Sequence, residues 1–313
     1  MLIPALLMAA CLSACSSAPV TEVSKRETAA PAPALYAPPE PAPSVARVVP
    51  GLGSNAALVR DILELSFRME SGATVPALSR FEGPVTLRLI GDVPAQAQAD
   101  AADLVGRLRR EAGIDIALAS GEDAAITVQF LPRRQLRGIY ANVACFVVPN
   151  VSGWAEFAAA QGSSRIDWTQ LTARTRATVF IPSDSAPQEA RDCLHEEVAQ
   201  ALGPLNDLYR LSNSVFNDDN FQTVLTGFDM AVLRVLYDPA LASGMTEAEV
   251  AGRLPAILGR LNPGGASAQG AEAAPTPRTW QTAVEVALTG SNPLEYRIAA
   301  ARKAIGMARN KGW

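Results

Sequence analysis

Between residues 55 and 71 the apolar positions Leu58, Ile62, Leu65 and Met69 recur at helical spacing and stop at Gly72, which predicts an amphipathic helix. The pattern then changes period. Residues 84–91 alternate, with Val85, Leu87 and Leu89 on one face, and read as a strand. Helical spacing returns over 95–112, where Ala102, Leu104, Leu108 and Ala112 are apolar and Gly113 is a suitable C-cap. Short strands are predicted at 114–119, 125–130 and 143–149. A connection holding Trp154 and Trp168 leads to a further strand at 176–182. Ser185 and Gln188 have the spacing of a capping box and Pro187 falls in the first turn, so the next helix is expected to run to about Leu202. Helices follow at 219–236 and 246–261. After a Pro/Gly/Ala-rich stretch, helices at 279–289 and 294–310 complete the chain, with Trp280, Val284 and Leu288 facing Ile298 and Ile305.

This order of elements implies an α+β layer: a mixed sheet, a helix packed against it, and C-terminal helices. One main domain over 51–262 suits a chain of 313 residues with 49% hydrophobic residues; 263–277 reads as a linker and 278–313 as a helical hairpin. Charge changes the picture only by exclusion. With 27 basic against 31 acidic residues the chain has no basic surplus, which argues against a nucleic-acid partner. The basic positions Arg297, Arg302, Lys303, Arg309 and Lys311 on the last helix read as a solvated face.

The N-terminus has a different character. Residues 1–15 are an apolar run too short to span a bilayer, ending in Leu12, Ser13, Ala14 and Cys15. That ending resembles a bacterial lipobox, and the resemblance implies cleavage before Cys15 and a lipid on its sulfur; Cys11 is the weaker alternative. No Lys or Arg precedes the apolar run. Residues 16–50 contain "APAPALYAPPEPAPS" and are expected to be an extended tether. Ser16 and Ser17 after the cysteine then imply an outer-membrane lipoprotein facing the periplasm. Cys145 and Cys193 are left for the folded part, and in an oxidising compartment an even pair favours a disulfide.

The chain has one histidine, His195, in "CLHEEVAQALGPLND". Zinc hydrolases with H-E-x-x-H place two imidazoles four residues apart on one helix face, beside a glutamate that reaches the metal-bound water. Starting that template at His195 puts Ala199 and Leu202 at later ligand and turn positions, which fails. Starting it at Glu196 puts Glu196, Gln200 and Asn206 at ligand positions, Glu197 at the general base and Gly203 at the turn. On a helical wheel Glu196, Gln200 and Gly203 share one face, opposite Leu194, Val198, Ala201 and Leu202, so the expectation is a polar face lining a cleft. Other nucleophilic chemistry has no support. Cys193 and His195 are two apart on a helix and point in different directions, no G-x-S-x-G is present, and "NDDN" at 217–220 lacks the spacing of a calcium loop and suits a helix cap.

On these residues the chain resembles a zincin of the metzincin type. It is more closely similar to a family of bacterial lipoproteins, domain of unknown function 2927. Three segments carry that second resemblance: E-E-x-x-Q-x-x-G-x-x-N-D from Glu196 to Asp207, S-x-F from Ser214 to Phe216, and D-P-x-L-x-x-G-M from Asp238 to Met245. The resemblance spans about residues 55–262 and implies a zincin-like mixed sheet with a degenerate active-site helix, but no catalytic role. A single histidine cannot build a three-histidine or two-histidine zinc site in one chain. Glu196, Gln200, Asn206 and Asp207 offer oxygen donors suited to Ca²⁺ or Mg²⁺, or to no metal. The reading is a non-catalytic binding or scaffolding module at the cell envelope, without a cofactor, whose partners are the membrane through its anchor and a peptide or envelope protein paired with the strand at 143–149. The alternative is a hydrolase with Glu197 as general base.

Overall fold

The computed structural model describes residues 24–27, 52–121, 123–140, 143–217 and 222–266, with only the backbone described for 24–27. The expected leader at 1–15, residues 267–277 of the linker expected at 263–277 and the hairpin expected at 278–313 lie outside the described residues, whereas the start of that linker, Pro263–Ala266, forms a 3-10 turn.

Among the described residues six strands make one sheet: β1 (Ser24–Glu27), β2 (Val85–Gly91), β3 (Ile116–Leu118), β4 (Ile126–Leu131), β5 (Val143–Pro149) and β6 (Ala177–Pro182). Their spatial order is β1-β5-β6-β4-β2-β3. Strands β3, β2, β4 and β6 run parallel, whereas β5 is antiparallel to both β6 and β1. The sheet is therefore mixed, as the α+β reading requires. Among the described residues seven α-helices accompany it: α1 (Asn55–Phe67), α2 (Ala97–Arg107), α3 (Arg133–Arg137), α4 (Trp154–Ala160), α5 (Pro187–Leu202), α6 (Gly227–Leu236) and α7 (Glu247–Leu261).

Alternation along the strands sorts the core into two. One face of the sheet, with Leu87, Val128, Cys145, Val147 and Val179, packs with α1, α2, α5, α6 and α7. The other carries Phe146, Val148 and Phe180, which meet Phe157 of α4 and Leu136 of α3. Here Tyr140, Phe146, Trp154, Phe157 and Phe180 form a network of tilted, edge-on and, for Tyr140 and Phe157, stacked ring pairs at centroid distances of 5.0–6.4 Å. All seven residues of β5 are buried because both its faces are covered.

The helical stripe of α1 is observed as expected, with Leu58, Ile62 and Leu65 at most 2% exposed. The helix stops at Phe67, where Arg68 turns extended and bridges to Thr74 around Gly72. Gly113 does close the α2 segment, in the left-handed region at φ 71°, after a wider turn over Leu108–Ala112. Sequence reading missed α3 and α4, which are too short to show a period.

Four expectations need correction. The capping box predicted for α5 does not form: Ala186 is the N-cap with no side-chain bond, and Ser185 instead accepts from Arg133. Pro187 supplies the start, since its missing N–H would lack an intrahelical partner anyway. The helix expected from 219 begins only at Gly227, capped reciprocally by Thr226 and Asp229. From the "NDDN" stretch Asn217 turns back to the carbonyls of Tyr209 and Leu211 rather than capping that helix. Finally, part of the expected tether is structured, because Ser24–Glu27 pairs with β5. These four residues precede the Pro-rich tract and retain every backbone N–H that a ladder needs.

Candidate functional site

Helix α5 lies between the sheet and the other helices and is buried from Ala190 to Leu202. The amphipathic reading is right about its apolar side and misses that its polar side is buried too: Glu196 is 4% exposed, and Glu197 and Gln200 are 0% exposed. Each polar position of α5 from Arg191 to Gln200 is thus surrounded by protein, and its side chain is constrained by what the neighbouring elements offer.

On the sheet side, Cys193 forms a disulfide with Cys145 of β5, with Cα atoms 5.9 Å apart. Toward α2, Arg191 pairs with Asp100 at 3.2 Å, both side chains 7% exposed. His195 points to the loop before α6, where its Nδ1 accepts the Leu225 N–H at 3.3 Å. Burial, reinforced by the charges of Arg107 and Arg191, pushes the imidazole pKa down to about 3, so His195 is a neutral hydrogen-bond acceptor.

Around the far side of the helix the elements converge from α1. Gln200 donates to the Glu70 carboxylate at 3.5 Å, just beyond the end of α1. Asn206 donates through Nδ2 to the Glu64 carbonyl at 3.1 Å, and the Leu205 N–H donates to the Leu65 carbonyl at 2.7 Å. The segment after α5 is therefore laid along the last carbonyls of α1, which have no partners within their own helix. Asp207 follows, partly buried. A zinc ion does not fit this set: the amide nitrogens of Gln200 and Asn206 are turned to α1, and no imidazole stands among the ligand positions. Among the described residues no three His, Cys, Asp or Glu side chains are grouped to hold a metal.

The C-terminal end of α5 is held by a residue that sequence reading did not single out. Arg174 is 4% exposed. It donates to the carbonyls of Gln200 and Gly203, the latter at 2.7 Å, and to Ser79 Oγ at 3.2 Å. Its guanidinium stacks over the Trp168 ring at 4.6 Å. A cation at this end also opposes the negative pole of the helix. Burial lowers the Arg174 pKa to about 10, which still leaves it charged at neutral pH. The Tyr237 hydroxyl satisfies the Leu202 carbonyl at 3.0 Å. Gly203 itself has φ −178°, which any residue adopts; a Cβ there would stand 2.8 Å from Leu236 Cδ1. Close packing against α6, and not a left-handed turn, explains this glycine.

The other two signature segments are joined to the same framework. Ser214 donates to Asp229 at 2.5 Å, and the N–H groups of Val215 and Thr226 donate to the other carboxylate oxygen. Burial nevertheless wins over these donors and pushes the Asp229 pKa up to about 6. Phe216 is fully buried and its N–H donates to Ser214 Oγ. In the Asp238–Met245 segment the carbonyls of Asp238 and Leu241 accept from Arg80, which also binds the Leu236 carbonyl at the end of α6 at 2.6 Å. The T-x-x-D spacing of Thr226 and Asp229 could have been read from sequence. Nothing in the sequence marks the helix-end contacts of Arg80 or Arg174, because the backbone carbonyls they bind lie 26 to 161 positions away.

The segments that distinguish the sequence are thus one connected framework around α5. Residues 55–256 match the family described as protein of unknown function (DUF2927), and the chain belongs to that family. No curated protein matches the chain.

Proposed function

We propose that the protein is a lipid-anchored, periplasm-facing binding or scaffolding module of the cell envelope, built on a zincin-like layer whose active-site helix has become structural. The observation that carries this reading is the use of the template positions: Asn206 is engaged with α1, Gln200 with Glu70 just beyond it, and the adjacent His195 is a neutral acceptor for Leu225. Among the described residues the long apolar strand β5 is followed on its outer side only by the four-residue β1, and this short outermost pairing supports the edge-pairing form of the idea, in which an extended peptide adds to the sheet beside β5. The disulfide between Cys145 and Cys193 suits an oxidising compartment. Among the described residues no helix is long and apolar enough to cross a membrane. The lipobox-like ending at Cys15 is what supports a lipid anchor.

Hydrogen exchange of the full chain with a library of short unstructured peptides tests this reading. Changed exchange confined to Ser24–Glu27 and Val143–Pro149 is the expected outcome, and unchanged exchange throughout both segments would remove it. The hydrolase alternative, with Glu197 as base near a Ca²⁺ or Mg²⁺ held by Glu196, requires stoichiometric metal in the wild type and its loss in Glu196→Ala.

A further inference from the structure

The two edges of the sheet are managed differently. At one end, β3 is three residues long, a length that offers little ladder to another chain. At the other, β5 is seven residues long, "VACFVVP", with no charged residue and only its last position a proline. A long apolar strand without charge is what edges ordinarily avoid, since its unpaired N–H and C=O groups would template pairing with another chain. Here the edge is filled. Ser24, Lys25 and Arg26 pair antiparallel with Val147, Phe146 and Cys145, and after an irregularity Glu27 pairs with Val143.

Several features make this pairing a site. The filling strand comes from the far side of the Pro/Ala-rich tract, so it is a separate piece of chain brought back to the domain. It is four residues long against seven in β5, leaving Val148 and Pro149 beyond its register. Its ladder breaks between Arg26 and Glu27. A short, interrupted strand joined to the domain through residues 28–51 is held by few backbone bonds and by the high local concentration that the connection provides.

We propose that the outer side of β5 is a strand-acceptor edge whose resident occupant is Ser24–Glu27 of the same chain, and that an extended peptide partner enters only by displacing it. This rests on the reading of the protein as a peptide-binding module and adds how its site is guarded. The recognition is by backbone ladder. The partner must therefore be extended, with N–H groups available over about four residues and no proline among them.

The test uses the full chain and its Lys25→Pro/Arg26→Pro variant, in which two N–H donors of β1 are removed. In the wild type, those amides of 24–27 and of Val143–Val147 that face the partner strand should exchange slowly. In the variant, exchange at Val143–Val147 should accelerate while β4 and β6 remain unchanged. A fluorescent peptide with the sequence of residues 20–30 should bind the variant at least about tenfold more tightly than the wild type, because the resident strand no longer competes. Equal affinity for both chains, or exchange at Val143–Val147 indifferent to the prolines, overturns the proposal. If the residue 20–30 peptide binds the variant while no library peptide does, the edge serves its resident strand alone. The cis pairing then survives and both peptide entry and the peptide-binding reading fail.

Discussion

His195 has a definite part to play in stability. Neutral and buried in the folded chain, it becomes an ordinary imidazole with a pKa near 6.5 on unfolding. Its folded pKa is depressed to about 3, so the unfolded state takes up protons first as pH falls. The stability that His195 contributes is complete above about pH 6.5 and is lost progressively toward pH 3. In urea unfolding, wild type should lose stability relative to His195→Gln by about 1.4 kcal/mol per pH unit between pH 6 and 4. A constant difference across that range would show that the imidazole is solvated. Asp229 works in the opposite sense: its raised folded pKa, about 6, makes its contribution fall as pH rises through about 4 to 6. Arg174 is the other decisive residue. Arg174→Lys keeps the charge but cannot reach the carbonyls of Gln200 and Gly203, Ser79 and the Trp168 ring with one planar group. A loss of about 2–4 kcal/mol in urea unfolding is expected, and a loss below about 1 kcal/mol would show that the α5 terminus does not depend on it.

Among the elements, α5 is where the sheet, α1, α2 and the 203–217 segment meet. Its covalent link to β5 joins positions 48 apart in sequence. In a chain-entropy treatment, opening a loop of that size costs about 4 kcal/mol. The Cys145→Ala/Cys193→Ala variant should therefore unfold at markedly lower urea concentration, and wild type under reducing agent should behave alike. If reduction leaves the midpoint unchanged, α5 is held by packing alone. The link also fixes α5 behind the strand whose outer side carries β1, so loosening it should raise exchange in β5 before β2 or β4.

For the whole molecule, the β1 pairing bears on distance from the membrane. With a lipid on Cys15, as proposed, a docked Ser24 leaves nine residue steps to the bilayer, at most about 30 Å. Released, the path from Cys15 to Leu52 allows up to about 120 Å. On vesicles, energy transfer between a bilayer dye and a dye on the domain should fall in the Lys25→Pro/Arg26→Pro variant. Equal transfer in both chains would mean that the pairing does not set the reach.

By itself the sequence determined the elements with strong periods. The stripe of α1, the alternation of β2, the Gly113 cap and the α+β order follow from local geometry, because a 3.6 or 2.0 repeat over many residues has one structural reading. It also marked the segments around Glu196, Ser214 and Asp238 as special. What they do was decided by tertiary structure. That the polar face of α5 is buried, that Gln200 and Asn206 turn to α1, that Gly203 makes room for Leu236 and that Arg174 and Arg80 clamp helix ends all depend on long-range neighbours. A backbone carbonyl carries no sequence signature, so a side chain that binds one looks like any other until the chain is folded. The same holds for β5: its apolar run predicts a buried strand, and only the fold reveals that a distant segment of the chain covers its edge.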